Sequence, residues 1–209
     1  MGYNSNDAIL LGGCYMKFIG VYNYTVVLTY ISLLFAIFGI VEAFDGNSLI
    51  AIICLVCSGI CDAFDGTVAR TKKDRTDDQK AFGIQIDSLC DVISFGVCPA
   101  LICYTMGVQG ILGLPLVMFY SLAAVIRLAF FNVLEAKRQQ VEEGGNKTYR
   151  GLPVTSAAII LPIVYLFKYI LNNSSFTILL HLYLLIVGFL FIYDFPLKKP
   201  NLMAVFKKN

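Results

Sequence analysis

Charged residues are scarce in this 209-residue sequence, at 14% of the total, whereas hydrophobic residues make up 58%. The mean hydropathy is +0.74. These values exclude an ordinary soluble domain, in which about a quarter of the residues are charged. The net charge of +2 gives no reason to expect a nucleic-acid partner. We therefore expect lipid to be the solvent for most of the chain.

Histidine occurs once, and a glycine-rich phosphate loop of the GxxxxGK type is missing. His181 lies in an apolar run with no cysteine or carboxylate nearby in sequence, so we interpret it as a packed or interfacial imidazole. Most of the seven cysteines also lie in apolar runs, where they act as small apolar residues. Cys54 and Cys57 form a CxxC, which we assign to helix packing rather than to redox or zinc chemistry.

Six apolar runs are each long enough to cross the hydrocarbon core, which takes about 20 residues. They cover residues 24–44, 48–71, 83–106, 111–134, 152–171 and 175–195. Their length and uniform hydrophobicity predict helices rather than barrel strands. We expect an all-α polytopic membrane protein with six transmembrane helices, in one domain over residues 1–209. Within residues 1–22 we expect an interfacial segment that forms a short amphipathic helix and no cleavable signal peptide.

Lysine and arginine residues are concentrated in three places outside the apolar runs. They lie between the second and third runs, between the fourth and fifth runs, and beyond the sixth run. By the positive-inside rule, these loops and both termini are predicted to be cytoplasmic. Two termini on one side require an even number of spans, which agrees with the six runs.

Four aspartates lie inside two apolar runs, where an ionisable group is costly and a functional site is the default hypothesis. Asp62 and Asp65 are in the second run, and Asp87 and Asp91 are in the third. Residues three or four apart share a helix face, so each helix presents a carboxylate pair. Asp62 lies nine residues before the predicted loop 71–82, and Asp91 lies nine residues after it. Both pairs should therefore lie roughly 13 Å from the loop.

Carboxylate oxygens without histidine or thiolate suit hard divalent cations, namely Mg²⁺, Mn²⁺ or Ca²⁺, rather than zinc. Two such ions would stabilise an in-line phosphoryl displacement. Two other interpretations are a structural set of buried polar groups and a divalent-cation channel or transporter. A transport path needs polar residues through both leaflets, whereas these residues stop in the predicted cytoplasmic half.

Small residues and one cation accompany the aspartates. Gly66 and Ala69 would allow a ligand or another backbone to approach closely. Arg70 would suit a bidentate phosphate contact. The alternatives are small-residue helix packing for the first two and an interfacial cation for Arg70. For Gly59 and Gly96 we predict helix packing.

These residues resemble the signature of the CDP-alcohol phosphotransferase family, and they read Asp62-x2-Asp65-Gly66-x2-Ala69-Arg70 and then Gly83-x3-Asp87-x3-Asp91. The twelve residues between Arg70 and Gly83 are more than the family usually has, which we place in a polar loop. The continuation DSLCDVISFGVCPA, with the segments 127–133 and 149–153, resembles the phosphatidylserine synthases of that family.

The resemblance implies transfer of a phosphatidyl group from CDP-diacylglycerol to the hydroxyl of L-serine, with release of CMP. It implies that the four aspartates hold two divalent cations, Mg²⁺ or Mn²⁺, and that Asp91 also takes the serine proton. Gly66 and Ala69 would make room for the nucleotide, and Arg70 would contact its phosphate. A homodimer in the bacterial plasma membrane is implied as well, and the placement of the basic loops predicts that the active site faces the cytoplasm.

The acceptor is less strongly indicated than the carboxylate cluster. On charge alone, Arg127 and Arg150 are candidates to bind the serine carboxylate. Their alternative roles are a buried structural ion pair for Arg127 and a solvated or headgroup-binding cation for Arg150. A transferase of the same family that uses glycerol phosphate or inositol phosphate is the alternative function, since the cationic loops would suit a second phosphate.

Overall fold

The protein is described by a computed structural model that covers residues 9–11, 14–16, 20–22, 24–71, 76–140 and 149–197. Its helices are α1 (Tyr24–Phe44), α2 (Ser48–Thr71), α3 (Asp77–Asp91), α4 (Cys98–Thr105), α5 (Gly110–Gln140), α6 (Ala157–Leu166) and α7 (Asn173–Ile192). A π-helical segment, Val92–Val97, joins α3 to α4, and the 3-10 turns Val154–Ser156 and Phe167–Tyr169 flank α6. Two antiparallel pairs of short strands complete it, β1 (Ile9–Leu11) with β2 (Cys14–Met16) and β3 (Tyr149–Arg150) with β4 (Pro196–Leu197).

The all-α, polytopic class is confirmed, although the predicted spans differ in length. Five helical stretches are long and apolar enough to cross a membrane, namely Val26–Phe44, Ser48–Val68, Asp77–Thr105, Gly110–Leu134 and Asn173–Ile192. The fifth predicted run, 152–171, forms a shorter apolar helix over Val154–Tyr169. It begins only after Pro153, whose ring favours a helix start, and α6 ends where the 3-10 turn begins. Within the described residues there are therefore five helical stretches long and apolar enough to cross a membrane and one shorter apolar helix.

The N-terminal part differs from the predicted amphipathic helix. Ile9 pairs with Met16 and Leu11 with Cys14, so this stretch contains two short antiparallel strands. The prediction of a helix in this segment is therefore wrong for the residues that the structure describes.

Helix α3 begins at Asp77, six residues before the predicted start at Gly83. The Thr76 hydroxyl oxygen accepts a hydrogen bond from the Gln79 backbone N–H at 3.2 Å, which satisfies one free donor at the helix start. The Lys80 ammonium also lies 2.9 Å from the Asp77 carboxylate. Only five residues separate α2 from α3, so seven of the twelve residues between Arg70 and Gly83 belong to the two helices rather than to a loop.

Glycine allows two close helix contacts, as predicted for Gly59 and Gly96. A Cβ added at Gly59 of α2 would lie 2.5 Å from the Ala158 Cβ of α6. A Cβ added at Gly96, in the π-helical segment, would lie 2.9 Å from the Ala124 Cβ of α5. Both distances are too short for a side chain, so the helices approach closely because these residues have none.

The π-helical segment directly follows Asp91 and is held by hydroxyl groups of neighbouring helices. The buried Tyr120 of α5 donates to the Phe95 carbonyl at 3.2 Å, and its oxygen lies 3.2 Å from the Tyr183 hydroxyl of α7. Ser121 donates to the Gly96 carbonyl, also at 3.2 Å. Because a π-turn disturbs the regular helical hydrogen bonds, these contacts stabilise it and help to fix the end of α3.

Candidate active site

Three of the predicted aspartates come together between α2 and α3. Asp62, Asp87 and Asp91 each offer one carboxylate oxygen, and these oxygens lie within 4.8 Å of one another. The Asp62 and Asp91 side chains are in contact. Asp91 is only 9% exposed, whereas Asp62 and Asp87 are half-buried. The two helices thus bring carboxylates from both sequence pairs to one place.

Asp65 lies beside this trio and is held by a residue of α1. Its Oδ2 accepts a hydrogen bond from the Thr29 hydroxyl at 2.9 Å, and both residues are buried. The Asp65 side chain also contacts that of Asp87. A threonine within an apolar helix carries no signal of its own, so Thr29 could not be identified from the sequence. The structure adds it as the residue that orients Asp65.

All four aspartates line one cavity of about 570 Å³. We call the side formed by α2 and α3 the carboxylate wall, which comprises Asp62, Asp65, Asp87 and Asp91. Other lining residues come from α5 and the 3-10 turn before α6, and we call the polar ones, Arg127, Asn132 and Thr155, the donor wall. The cavity is thus lined both by an acidic surface and by residues that can donate hydrogen bonds.

The nucleotide-binding predictions concern the part of α2 next to the carboxylate wall. Gly66 is exposed and lines the cavity, and a Cβ added there would meet no atom within 4 Å. Its lack of a side chain is therefore not required by helix packing, in contrast to Gly59. Ala69 and Arg70 belong to the last turn of α2, but their side chains lie outside the described part of the structure.

Arg127 is a buried member of the donor wall, at 7% exposure. Its Nη1 donates to the Phe191 carbonyl and its Nη2 to the Gly151 carbonyl, each at 3.3 Å. The guanidinium carbon lies 4.4 Å from the centre of the Phe131 ring, which is a cation–π contact. Gly151 has a φ of +68°, a conformation that favours glycine. Arg127 thus ties α5 to α7 and to the chain after β3.

For Arg150, the other arginine predicted to bind the acceptor, the structure describes only the backbone. Arg150 lies in β3 and pairs with Pro196, while its side chain is outside the described residues. The neutral residues of the donor wall, Asn132 and Thr155, were not predicted from the sequence, and neither was Ser88. The Ser88 hydroxyl of α3 donates to Oδ1 of Asn132 at 2.7 Å, and both residues line the cavity.

The carboxylate trio fits a divalent cation. Three carboxylate oxygens within 4.8 Å repel one another, and a shared cation would offset that repulsion. Oδ1 of Asp87 is buried and has no hydrogen-bond partner within the described residues, which suits an atom that coordinates a metal. Oxygen-only ligands are those that Mg²⁺, Mn²⁺ and Ca²⁺ prefer.

Comparison with known proteins adds a family and several relatives. The family model described as CDP-alcohol phosphatidyltransferase matches residues 22–192. Archaetidylserine synthase of Methanothermobacter thermautotrophicus is 35% identical over 153 residues, which cover 71% of this chain and 60% of that protein. A CDP-diacylglycerol–serine O-phosphatidyltransferase of Saccharomyces cerevisiae is 36% identical over 110 residues, or 51% of this chain and 38% of that protein.

A third relative covers more of the chain at lower identity. The CDP-diacylglycerol–serine O-phosphatidyltransferase of Mycobacterium bovis is 28% identical over 181 residues, which cover 85% of this chain and 62% of that protein. The matched regions thus span between 38% and 62% of these three relatives' own lengths. The described fold and the carboxylate wall both lie largely within the region that the family model matches.

Proposed function

This chain belongs to the CDP-alcohol phosphatidyltransferase family, and on that premise we propose that it transfers a phosphatidyl group from CDP-diacylglycerol to the hydroxyl of L-serine. The products are phosphatidylserine and CMP. The observation that carries the proposal is that one cavity is lined both by three close carboxylates and by residues that can donate hydrogen bonds. The names of the relatives from yeast and Mycobacterium bovis support serine as the acceptor.

We propose that the carboxylate wall holds two divalent cations, Mg²⁺ or Mn²⁺. The ligands would be Asp62, Asp65, Asp87 and Asp91. Asp65 differs from the other three because its Oδ2 already accepts the Thr29 hydroxyl, which leaves Oδ1 to act as a ligand. Bound cations of this kind neutralise charge on the phosphate oxygens and on the leaving group during phosphoryl transfer.

Asp91 is proposed to remove the proton from the serine hydroxyl. It lies at the end of α3 and lines the cavity, at the point where the π-helical segment begins. The serine oxygen forms a bond to the phosphorus that carries the diacylglycerol. The bond from that phosphorus to the oxygen shared with the cytidine monophosphate breaks, and CMP leaves with that oxygen. Proton removal by a positioned carboxylate typically contributes about 10²- to 10⁴-fold in rate.

The nucleotide is proposed to lie against the end of α2. The open space at Gly66 would accept it beside the carboxylate wall. Ala69 and Arg70 follow on the same helix, Ala69 as a small residue and Arg70 as the contact for a phosphate. Arg127 and Arg150 are proposed to supply positive charge toward the serine carboxylate.

The protein is an integral membrane protein, and its apolar helices also suit a substrate that is half lipid. From the placement of the basic loops, we propose that the cavity faces the cytoplasm. A homodimer in the bacterial plasma membrane completes the proposal, from the likeness to the family. In that setting the lipid tails of CDP-diacylglycerol stay in the bilayer, its cytidine headgroup enters the cavity, and serine arrives from water.

The proposal is tested by measuring CMP release from CDP-diacylglycerol by the purified protein in liposomes. Parallel reactions contain L-serine, glycerol 3-phosphate, inositol phosphate or no acceptor, each with Mg²⁺, with Mn²⁺ or with a chelator. We expect CMP only with serine and a divalent cation, and phosphatidylserine in equal amount. Equal release with another acceptor would refute serine as the substrate, and no release with any acceptor would refute the enzyme class.

A further inference from the structure

The side-chain amide of Asn132 belongs to the donor wall and has no role in the reaction as proposed above. Its Oδ1 accepts the Ser88 hydroxyl at 2.7 Å, which fixes how the amide is turned. An amide carries two N–H donors on its nitrogen, and a carbonyl oxygen that only accepts. With the oxygen held by Ser88, the nitrogen is the atom left for another partner. Within the described residues, Ser88 provides the amide's one hydrogen bond.

The position of this amide relative to Asp91 follows from α3. Ser88 lies three residues before Asp91, so the two share one face of the helix about one turn apart. The hydrogen bond between Ser88 and Asn132 therefore joins α3 to the donor wall about one helical turn from the proposed base. In an amino acid with a side-chain hydroxyl, the hydroxyl and carboxylate are joined through only two saturated carbons. A group that binds the carboxylate must consequently lie close to the base.

The chemistry of the donor wall favours a carboxylate over a second phosphate. Arg127 commits two N–H donors to the Phe191 and Gly151 carbonyls. The other polar members are the Asn132 amide and the Thr155 hydroxyl, and both are neutral. A phosphate dianion calls for several cationic donors, whereas a single carboxylate is satisfied by neutral donors near one guanidinium.

We propose that Asn132, oriented by Ser88, binds the carboxylate of the amino-acid acceptor and so selects serine over alcohols that lack a carboxylate. Asn132 is the binding residue, and Ser88 is a positioning residue that acts through it. This inference rests on the proposed function, because it assigns the recognition of the acceptor in that same cavity. Asp91 stays the proposed base and is unaffected by the assignment.

The experiment compares two acceptors that differ only in the recognised group. These are L-serine and serinol, in which a hydroxymethyl group replaces the carboxylate. The variant Asn132→Asp keeps the shape but replaces the donors with a negative charge, and Asn132→Leu removes the polar atoms. We expect the KM for serine to rise about 10- to 100-fold in both variants, as for a lost hydrogen bond to a charged group. The rate with serinol and the KM for CDP-diacylglycerol should stay within about twofold of the unchanged protein's values. Neither molecule has a carboxylate to which the Asn132 amide could donate a hydrogen bond.

Two further variants distinguish a binding role from damage to the fold. Ser88→Ala should raise the KM for serine by a smaller factor than Asn132→Leu, and Ser88→Thr, which keeps the hydroxyl, should restore it. Asn173→Asp is the matched control, since Asn173 is exposed at the start of α7 and lies outside the cavity lining. Binding of CDP in the presence of Mg²⁺ reports whether each variant is folded.

The outcomes separate this inference from the function on which it rests. If the unchanged protein makes phosphatidylserine but the Asn132 variants keep the original KM for serine, the assignment of Asn132 is wrong and the function stands. The assignment of Asn132 is also wrong if its substitution lowers the rates with serine and with serinol by the same factor. If the unchanged protein releases no CMP with serine, the proposed function fails and the inference fails with it.

Discussion

The two walls of the cavity are built in different ways. The carboxylate wall comes from α2 and α3, which are consecutive in sequence, and two of its four aspartates are buried. The donor wall comes from α5 and the turn before α6, and it combines one arginine with a neutral amide and a hydroxyl. We infer that the first wall performs chemistry common to every acceptor, and that the second recognises one acceptor. Variants of the two walls should therefore change different kinetic constants.

The walls also differ in what holds them in place. On the carboxylate wall, Asp65 is held by a side chain, the Thr29 hydroxyl of α1. On the donor wall, Arg127 binds main-chain carbonyls of Phe191 and Gly151. A side-chain contact can be removed by one substitution with little effect on the backbone. Removal of Arg127 would instead leave two buried carbonyls without their donor, so its loss would weaken folding as well as the site.

The largest expected effect is that of Asp91→Asn. The amide cannot accept the serine proton as a carboxylate does, so we expect kcat to fall by about 10²- to 10⁴-fold with every acceptor. CDP binding should largely persist, because three aspartates of the carboxylate wall remain. Single-turnover CMP release measures the loss, and titration with CDP in Mg²⁺ measures binding.

The matched control for this variant is Asp45→Asn. Asp45 is exposed in the turn between α1 and α2, and it lies outside the cavity lining. It should retain full activity. An Asp91→Asn protein that binds CDP and turns over at the unchanged rate would exclude Asp91 as the base, whereas one that neither binds CDP nor keeps its thermal stability would point to a structural role.

The carboxylate wall and Arg127 could be predicted from the sequence, whereas the neutral residues of the donor wall could not, and the reason is physical. A carboxylate in an apolar span is costly and therefore conspicuous, and two such pairs on adjacent helices predict one cluster. Asn132 and Thr155 are neutral residues of ordinary helix and turn sequences, and 23 positions separate them. Their partnership depends on how α5 packs against α3 and the turn before α6. Hydropathy carries no information about that packing.

Helix ends were predicted less well than helix positions. Hydropathy locates the apolar part of a helix, whereas α3 extends six residues into polar sequence because Thr76 caps it. The apolar pattern predicts that Asp91 is nine residues into the third helix, but Asp91 is the fifteenth residue of α3. The carboxylates still meet, since two antiparallel neighbours need not end at the same level. The spacing of the aspartates on each helix face therefore predicts the cluster better than their distance in residues from the loop does.

A smaller effect is expected on the carboxylate wall from Thr29→Val, which has nearly the same shape without the hydroxyl. Asp65 would lose the hydrogen bond that orients it, and loss of such a partner typically weakens metal binding about 10- to 100-fold. The Mg²⁺ concentration for half-maximal CMP release should rise accordingly, while kcat at saturating Mg²⁺ should change little. Thr29→Ser retains a hydroxyl and is the control. An unchanged Mg²⁺ requirement in the valine variant would show that Asp65 needs no support from α1.

The smallest effect is expected from Gly66→Ala, and it is best measured beside Gly59→Ala on the same helix. A Cβ at Gly66 meets no protein atom within 4 Å, so the fold should accept it and only a ligand in that space should be displaced. We expect CDP affinity to fall roughly tenfold, which corresponds to about 1.4 kcal/mol, with thermal stability unchanged.

At Gly59 the added Cβ would lie 2.5 Å from that of Ala158, so the helices must separate. Overpacking of this kind costs about 1 to 3 kcal/mol of stability, while the affinity of the folded protein for CDP should persist. The two variants thus add the same methyl group to one helix but should affect different properties. Gly66→Ala should weaken CDP binding, and Gly59→Ala should lower the stability of the fold. If Gly66→Ala binds CDP as tightly as the unchanged protein, the space beside Asp65 is not where the nucleotide lies.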